Sequence, residues 1–349
     1  MGRRTSTDPV LTQRALNRAL LARQLLLERV SMSIPEAIEQ VAPLQTQYSP
    51  SGYVGLWTRL ADLRRGALTE ALEDRSVIQA SLMRTTIHMV SRREYWRYEA
   101  AIRESRRAWH VRMLGEQGIT ERQLRASAAR LGEVLQDGPK TVKELDGLVK
   151  GFIGNASIWV DLVRVPPSGT WERRRADRIA LASQWVGPDD ATEAEGLGQV
   201  VSGYLRAFGP AAWKDIAAWA GIPLREAKRG GEGLTLTRFQ DESGKELIDL
   251  PDQPLPDPET PAPVRFLPHW DAVLLVHARR TGVLPEPYRP RIFTSKNPFS
   301  VGPVLVDGRV VAAWSARDKR IVLDPYEALS AADDRAVERE REALEAFHA

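Results

Sequence analysis

Two glutamines spaced two apart are the residues best placed to handle a water or a phosphate. They lie in Leu44-Gln45-Thr46-Gln47-Tyr48-Ser49-Pro50. A side-chain amide both donates and accepts hydrogen bonds without carrying charge. An apolar residue leads in, an aromatic follows, and Ser49-Pro50 bars a continued helix. A residue before proline is pushed toward extended geometry, so Ser49 is expected to end any element entering from Gln40. Gly52 to Leu60 has apolar residues at helical spacing and predicts a new helix. The glutamines are therefore expected at a joint between two helices. A solvated turn is the competing reading of the same residues.

Other chemistries are excluded by residue type. Cysteine is absent, which removes disulfides, thiolate metal sites and cysteine nucleophiles and suits a reducing cytoplasm. The five histidines, His88, His110, His269, His277 and His348, form no zinc-helix spacing. Neither a metal nor another cofactor is expected. No Gly-x-Ser-x-Gly elbow and no Walker loop occurs. His88 reads as a structural hydrogen bonder on a strand. Asp271 precedes apolar Val273 to Val276 and reads as an N-cap.

The 349 residues suffice for two or three domains. Apolar runs fall short of the roughly 18 residues a membrane span needs, and Met1 to Thr12 is too polar for a secretory signal. The net charge of +3 hides an asymmetry. Asp324 to Ala349 holds eight acidic residues and three arginines, a balance of −5, so the rest stands at +8. Only eight of the 49 basic residues are lysines, none before Lys140. Arginine forks phosphate, which favours a nucleic-acid partner; a GC-rich genome would also enrich it.

The elements that must position these residues follow in order. Thr12 to Arg29 is a helix by periodicity. Ser33 caps the next, with Glu36 at the capping-box position and Pro35 in the first turn. Helices at Tyr53–Leu60 and Ala67–Asp74 precede two strands, Val77–Leu82 and Thr85–Val90, joined at Met83-Arg84. Helices followed by a hairpin are the layout of a winged helix. Arg84 at the tip would touch phosphate or solvent. Ser91 to Met113 is a long helix carrying Arg92, Arg93, Arg97, Arg103, Arg106, Arg107 and Arg112.

A second cycle starts at Gly138-Pro139, with Lys143-Glu144-Leu145. It reaches a hairpin turning at Pro166-Pro167-Ser168-Gly169, with Val163, Val165 and Trp171 flanking and Arg173, Arg174 and Arg175 on its outgoing arm. Beside a wing, that arginine run is assigned to phosphate. A third cycle starts at Gly209-Pro210, with Lys214-Asp215-Ile216 at matching offsets, which indicates an internal repeat. Trp219 to Leu224 resembles the turn of a helix-turn-helix with Gly221 at the bend, and Leu224 to Arg229 would be its second helix. A hairpin of Leu234–Phe239 and Glu246–Leu250 follows. Pro251 to Pro263 holds six prolines and is an extended strap. Val304 to Val311 is a hairpin turning at Asp307-Gly308, and Pro325 to Phe347 is a charged helix.

The chain resembles the AlkZ-like winged-helix DNA glycosylases. Leu44-Gln45-Thr46-Gln47 looks like that family's catalytic Gln-x-Gln motif, and Gln47 sets the chain apart from a branch with aspartate there. Further likeness lies in Leu56 to Leu60, Met83 to His88, Pro166 to Glu172 and Leu267 to Asp271; Thr85 stands where the family commonly has glycine. The resemblance implies an α+β, mainly helical fold of three tandem winged-helix units in a C shape, with a small β-containing C-terminal segment. The units would be 1–113, 114–190 and 191–250, followed by 251–349. Gln45 and Gln47 would be catalytic on a concave face. Tyr48, Arg59, Arg84, Arg173, Arg174, Arg175, Arg291 and Lys296 are expected at the DNA, with a lesion probe sought in Arg289 to Phe299.

The implied function is hydrolysis of cationic N7-alkylguanine nucleotides in double-stranded DNA by a cytoplasmic monomer. Bulky adducts, crosslinks and genotoxin self-resistance belong to that expectation. A cationic base leaves without being protonated, so two neutral amides that hold a water can suffice. The alternative is a non-catalytic winged-helix regulator, which would read paired half-sites.

Overall fold

The computed structural model describes residues 8–148, 156–275, 282–293, 301–318 and 320–349. Thr12 caps α1 (Gln13–Arg23), which stops short of the expected Arg29. Ser33 and Glu36 form the predicted capping box on α2 (Ile34–Val41). Strand β2 (Leu44–Gln45) comes next, then α3 (Pro50–Trp57) and α4 (Arg65–Glu73). Strands β3 (Val77–Ser81) and β4 (Ile87–Ser91) pair antiparallel around a 3-10 turn at Met83–Thr85. The long helix α5 covers Tyr95–Gly115, so Arg92 and Arg93 precede it.

Helix α6 (Glu121–Leu135), β5 (Lys140–Thr141), α7 (Val142–Leu148), β6 (Leu162–Arg164), β7 (Arg178–Leu181) and α8 (Ala182–Trp185) form the next stretch. The expected hairpin exists, but its outgoing arm is β7. Trp171 and Arg173 to Arg175 lie in the connecting loop. Helices α9 (Glu193–Phe208), α10 (Trp213–Ala220) and α11 (Leu224–Gly230) lead to the hairpin β8 (Thr237–Asp241) and β9 (Glu246–Asp249). Gly221 ends α10 in the left-handed region, at φ 73°, as its place at the bend requires. The two phrases at matching offsets fold alike. Glu144 and Asp215 each accept from the backbone N–H three residues earlier, and Leu145 and Ile216 are both fully buried.

Three sheets result among the described residues. The largest has the order β2-β4-β3-β6-β7-β5, antiparallel throughout. One continuous sheet therefore joins residues assigned to the first and second units. The N-terminal strand β1 (Val10–Leu11) lies parallel to β8. Strands β10 (Arg265–Phe266), β11 (Gly302–Val306), β12 (Arg309–Arg317) and β13 (Arg320–Pro325) make the third sheet, turning at Asp307-Gly308 as predicted. Short α12 (Arg289–Ile292), 3-10 turns at Ala272–Leu274 and Glu286–Tyr288, and terminal α13 (Ala331–His348) complete the described elements.

The fold is thus a mixture of helices and sheets. Helix α9 was not anticipated, although Thr192 and Glu195 form a capping box at its start. It buries Leu197, Val200, Val201, Tyr204, Leu205 and Phe208 in a core shared with Tyr98, Ala101 and Ile102 of α5. A second core holds α2, α3 and α4 against Phe266, Val304 and Trp314 of the C-terminal sheet. No described helix is long and apolar enough to cross a membrane.

Candidate functional site

Strand β2 is the edge of the largest sheet, and it fixes the glutamines. Leu44 pairs with Met89 and Gln45 with His88. Thr46 N–H donates to Ile87 O at 2.7 Å, so extended pairing passes the formal strand end. Side chains alternate along such a segment. Leu44 and Thr46 are buried, Gln45 is half-buried and Gln47 is exposed. The glutamines therefore share one face, and the joint between two helices is a strand. Ser49 is helical in its backbone (φ −51°, ψ −42°), against the extended geometry expected before proline. Its hydroxyl donates to Arg174 O at 2.6 Å.

Each amide is anchored through its oxygen. Ile87 N–H donates to Gln47 Oε1 at 3.1 Å, which adds a side-chain rung to the ladder. Arg84 Nη2 donates to Gln45 Oε1 at 3.0 Å. An amide oxygen has two lone pairs, so each retains capacity for a water. Between them, Thr46 Oγ1 accepts from Gln79 Nε2 at 3.3 Å. Gly169 packs so tightly on Gln79 that a Cβ there would lie 2.2 Å from its Oε1, and its φ is +77°. The Pro-Pro-Ser-Gly turn thereby supports the strand from behind.

The same turn shapes the arginine loop. Ser168 Oγ donates to Arg175 O at 2.7 Å and accepts from Asp177 N–H and Arg178 N–H at 2.7 and 3.0 Å. Arg173, Arg174 and Arg175 are all exposed. Arg174 Nη1 donates to the Tyr48 hydroxyl oxygen at 3.0 Å. Tyr48 also stacks on His269, with ring centroids 5.4 Å apart. Gln45, Gln47, Tyr48, Arg84 and the loop arginines thus form one neighbourhood.

Other sequence expectations divide. Arg59 is fully buried and cannot reach DNA; its guanidinium holds Asp271 through both nitrogens, at 3.0 and 3.1 Å. Asp271 also caps as predicted, accepting from Val273 N–H at 3.0 Å. Arg84 is half-buried, not a free hairpin tip. Burial lowers it to about 10. Arg291 pairs with Asp324 at 2.8 Å and lies over the Tyr326 ring. Lys296 and Thr294–Phe299 of the expected probe lie outside the described residues. On α5, Arg103 is paired with Asp161 and Asp189, and Arg106 with Glu99, so fewer of its arginines are available than the sequence suggested. Among the described residues, no group of side chains could hold a metal ion.

Sequence reasoning gave His269 and His348 no role, but both sit beside this neighbourhood. His348 packs edge-on to Trp171 at 4.9 Å. Burial lowers His269 to about 4. Burial, then Arg174 and Arg65, lower His348 to about 4. Burial and then Arg84 lower His88 to about 3, while it bonds Thr86 O through Nδ1 at 2.9 Å in the structural role expected of it. All three are neutral in the fold at neutral pH and bind protons below about 6.5 when unfolded. Stability is therefore expected to fall as pH drops from about 6.5 toward 4. His88 and His269 each contribute at most about 1.4 kcal/mol per pH unit, and partly solvated His348 less. Urea midpoints at about pH 7 and pH 5 check this; equal midpoints would refute it.

A family model described as DNA glycosylase AlkZ-like matches residues 38–347. Among solved structures, the chain is similar to the Streptomyces sahachiroi DNA glycosylase AlkZ, with a TM-score of 0.81. The two are 20% identical over 97% of each chain, a likeness of fold. Comparison with curated proteins finds no match.

Proposed function

The chain belongs to the AlkZ-like DNA glycosylase family, and we propose that it hydrolyses the N-glycosidic bond of cationic N7-alkylguanine nucleotides in double-stranded DNA. The observation that carries this reading is the pair Gln45 and Gln47 on one face of an edge strand, beside an exposed arginine loop. In the proposed reaction, the remaining lone pairs of the two amide oxygens hold a water below C1′. The C1′–N9 bond breaks, and its electron pair neutralises the cationic base, which leaves without accepting a proton. Water oxygen bonds to C1′, and its proton passes to solvent. Neutral amides are weak bases, so intact nucleotides, whose bases need stronger acid–base help, are spared.

The exposure of Gln47 supports a site that works without drawing the base into a deep pocket. A crosslinked base cannot be flipped that way. Bulky natural-product adducts and interstrand crosslinks are therefore included in the proposed substrates, with genotoxin self-resistance as the role. The three helix-and-hairpin cycles are read as winged-helix units. Arg173, Arg174 and Arg175 would neutralise phosphates and release counterions. Changing all three to alanine is expected to flatten the salt dependence of binding to undamaged duplex. An unchanged slope would put the DNA path elsewhere.

The product tests the mechanism. A Schiff-base lyase needs an amine, and residues 1–113 contain no lysine. Arginine stays protonated and cannot substitute. The expected products are free alkylated base and an intact abasic strand. Borohydride during turnover should trap no covalent complex. A trapped complex that survives removal of the N-terminal amine would overturn water attack.

A further inference from the structure

We propose that Arg84 is a positioning residue for Gln45, fixing the direction in which its amide faces, and not a phosphate ligand. This rests on the catalytic reading of Gln45.

The oxygen and nitrogen of a glutamine amide exchange places by a half-turn of the last torsion. A water-holding amide that flips presents the wrong group half of the time. Arg84 can only donate, so only Gln45 Oε1 can face it, as the 3.0 Å contact records. The Nε2 group is then turned away. A bond from a cation is roughly twice as strong as one between neutral groups, so the preference is firm.

Arg84 is itself held in place. Its Nη1 donates to Trp219 O at the end of α10. Its backbone is left-handed, at φ 54°. Gly221, just after α10, approaches so closely that a Cβ would lie 3.3 Å from Arg84 Cγ. The direction of Gln45 is thus tied to α10 through one guanidinium. Among the described residues no carboxylate forms an ion pair with Arg84, and burial lowers it. Here the bonds go to a carbonyl and to Gln45.

The test is a double-mutant cycle on single-turnover release of N7-methylguanine from duplex DNA, with Arg84→Met, Gln45→Ala and the double variant. Arg84→Met is expected to slow release by on the order of 10- to 100-fold at saturating enzyme, the scale of a misplaced catalytic group. Affinity for undamaged duplex and its salt slope should stay unchanged. In the Gln45→Ala background, Arg84→Met should cost nothing further. An additive loss in the double variant would overturn the proposal. So would a salt slope reduced by about one with an unchanged rate, the mark of a lost phosphate contact. Should Arg84→Met fail to fold, Arg84→Gln, whose amide can donate or accept and so no longer fixes which way the Gln45 amide faces, takes its place in the cycle under the same criteria. If Gln45→Ala itself excises at the wild-type rate, the catalytic reading has failed. If Gln45→Ala is slow and Arg84→Met is not, only the present inference has failed.

Discussion

Gln45→Ala and Gln47→Ala should each slow release of N7-methylguanine by about 10²- to 10⁴-fold, the range that a positioned acid–base group contributes. Neither change should unfold the protein. Gln45 is half-buried and Gln47 exposed, and the sheet rungs at Leu44, Gln45 and Thr46 are made by backbone. Loss of the Gln47 amide removes one part-buried hydrogen bond, that from Ile87 N–H. Duplex affinity should stay within a few-fold, because a neutral amide releases no counterions. The large drop is thus expected at saturating enzyme, where only the chemical step is read. If both variants release base at the wild-type rate, the water-holding role is wrong.

The spacing of the two glutamines was legible in the sequence, but their geometry was not. A two-residue strand carries no periodic signal, and the flanking helices made a helical joint the natural reading. Only pairing with β4, about forty residues later, defines the strand. The arginine loop was legible as a turn and misread as a strand arm. Its shape depends on the Ser168 hydroxyl gathering backbone groups from Arg175 to Arg178, which a window along the chain does not reveal. Helix α9 carries legible signals in Thr192, Glu195 and its apolar spacing. Arg59 shows the opposite limit. Leu56-Trp57-Thr58-Arg59-Leu60 resembles a family phrase, yet the partner that takes Arg59 from the surface is 212 residues away.

That partnership should dominate stability. Arg59 and Asp271 are both buried, and the pair sits in a wider network. Arg59 also donates to Gly55 O at 2.8 Å and to Gln24 Oε1 at 3.1 Å. Gln24 Nε2 donates in turn to Val41 O and Ala207 O, both at 3.0 Å. The network therefore joins α3, the end of α2 just before the glutamine strand, the end of α9 and the segment that follows β10. Asp271→Ala leaves a guanidinium buried without its counter-charge and removes the cap on Val273. It should cost about 3–5 kcal/mol, the usual loss when one partner of a buried pair is removed. Replacing both partners, as Arg59→Met with Asp271→Leu, removes the charge together with its desolvation cost. The double variant should recover much of that loss, because a buried pair is often no better than apolar groups of similar size. Urea unfolding of the two single variants and the double variant measures this. Asp271→Ala within about 1 kcal/mol of wild type would mean that water reaches Arg59, and that this network does not hold the glutamine strand in place.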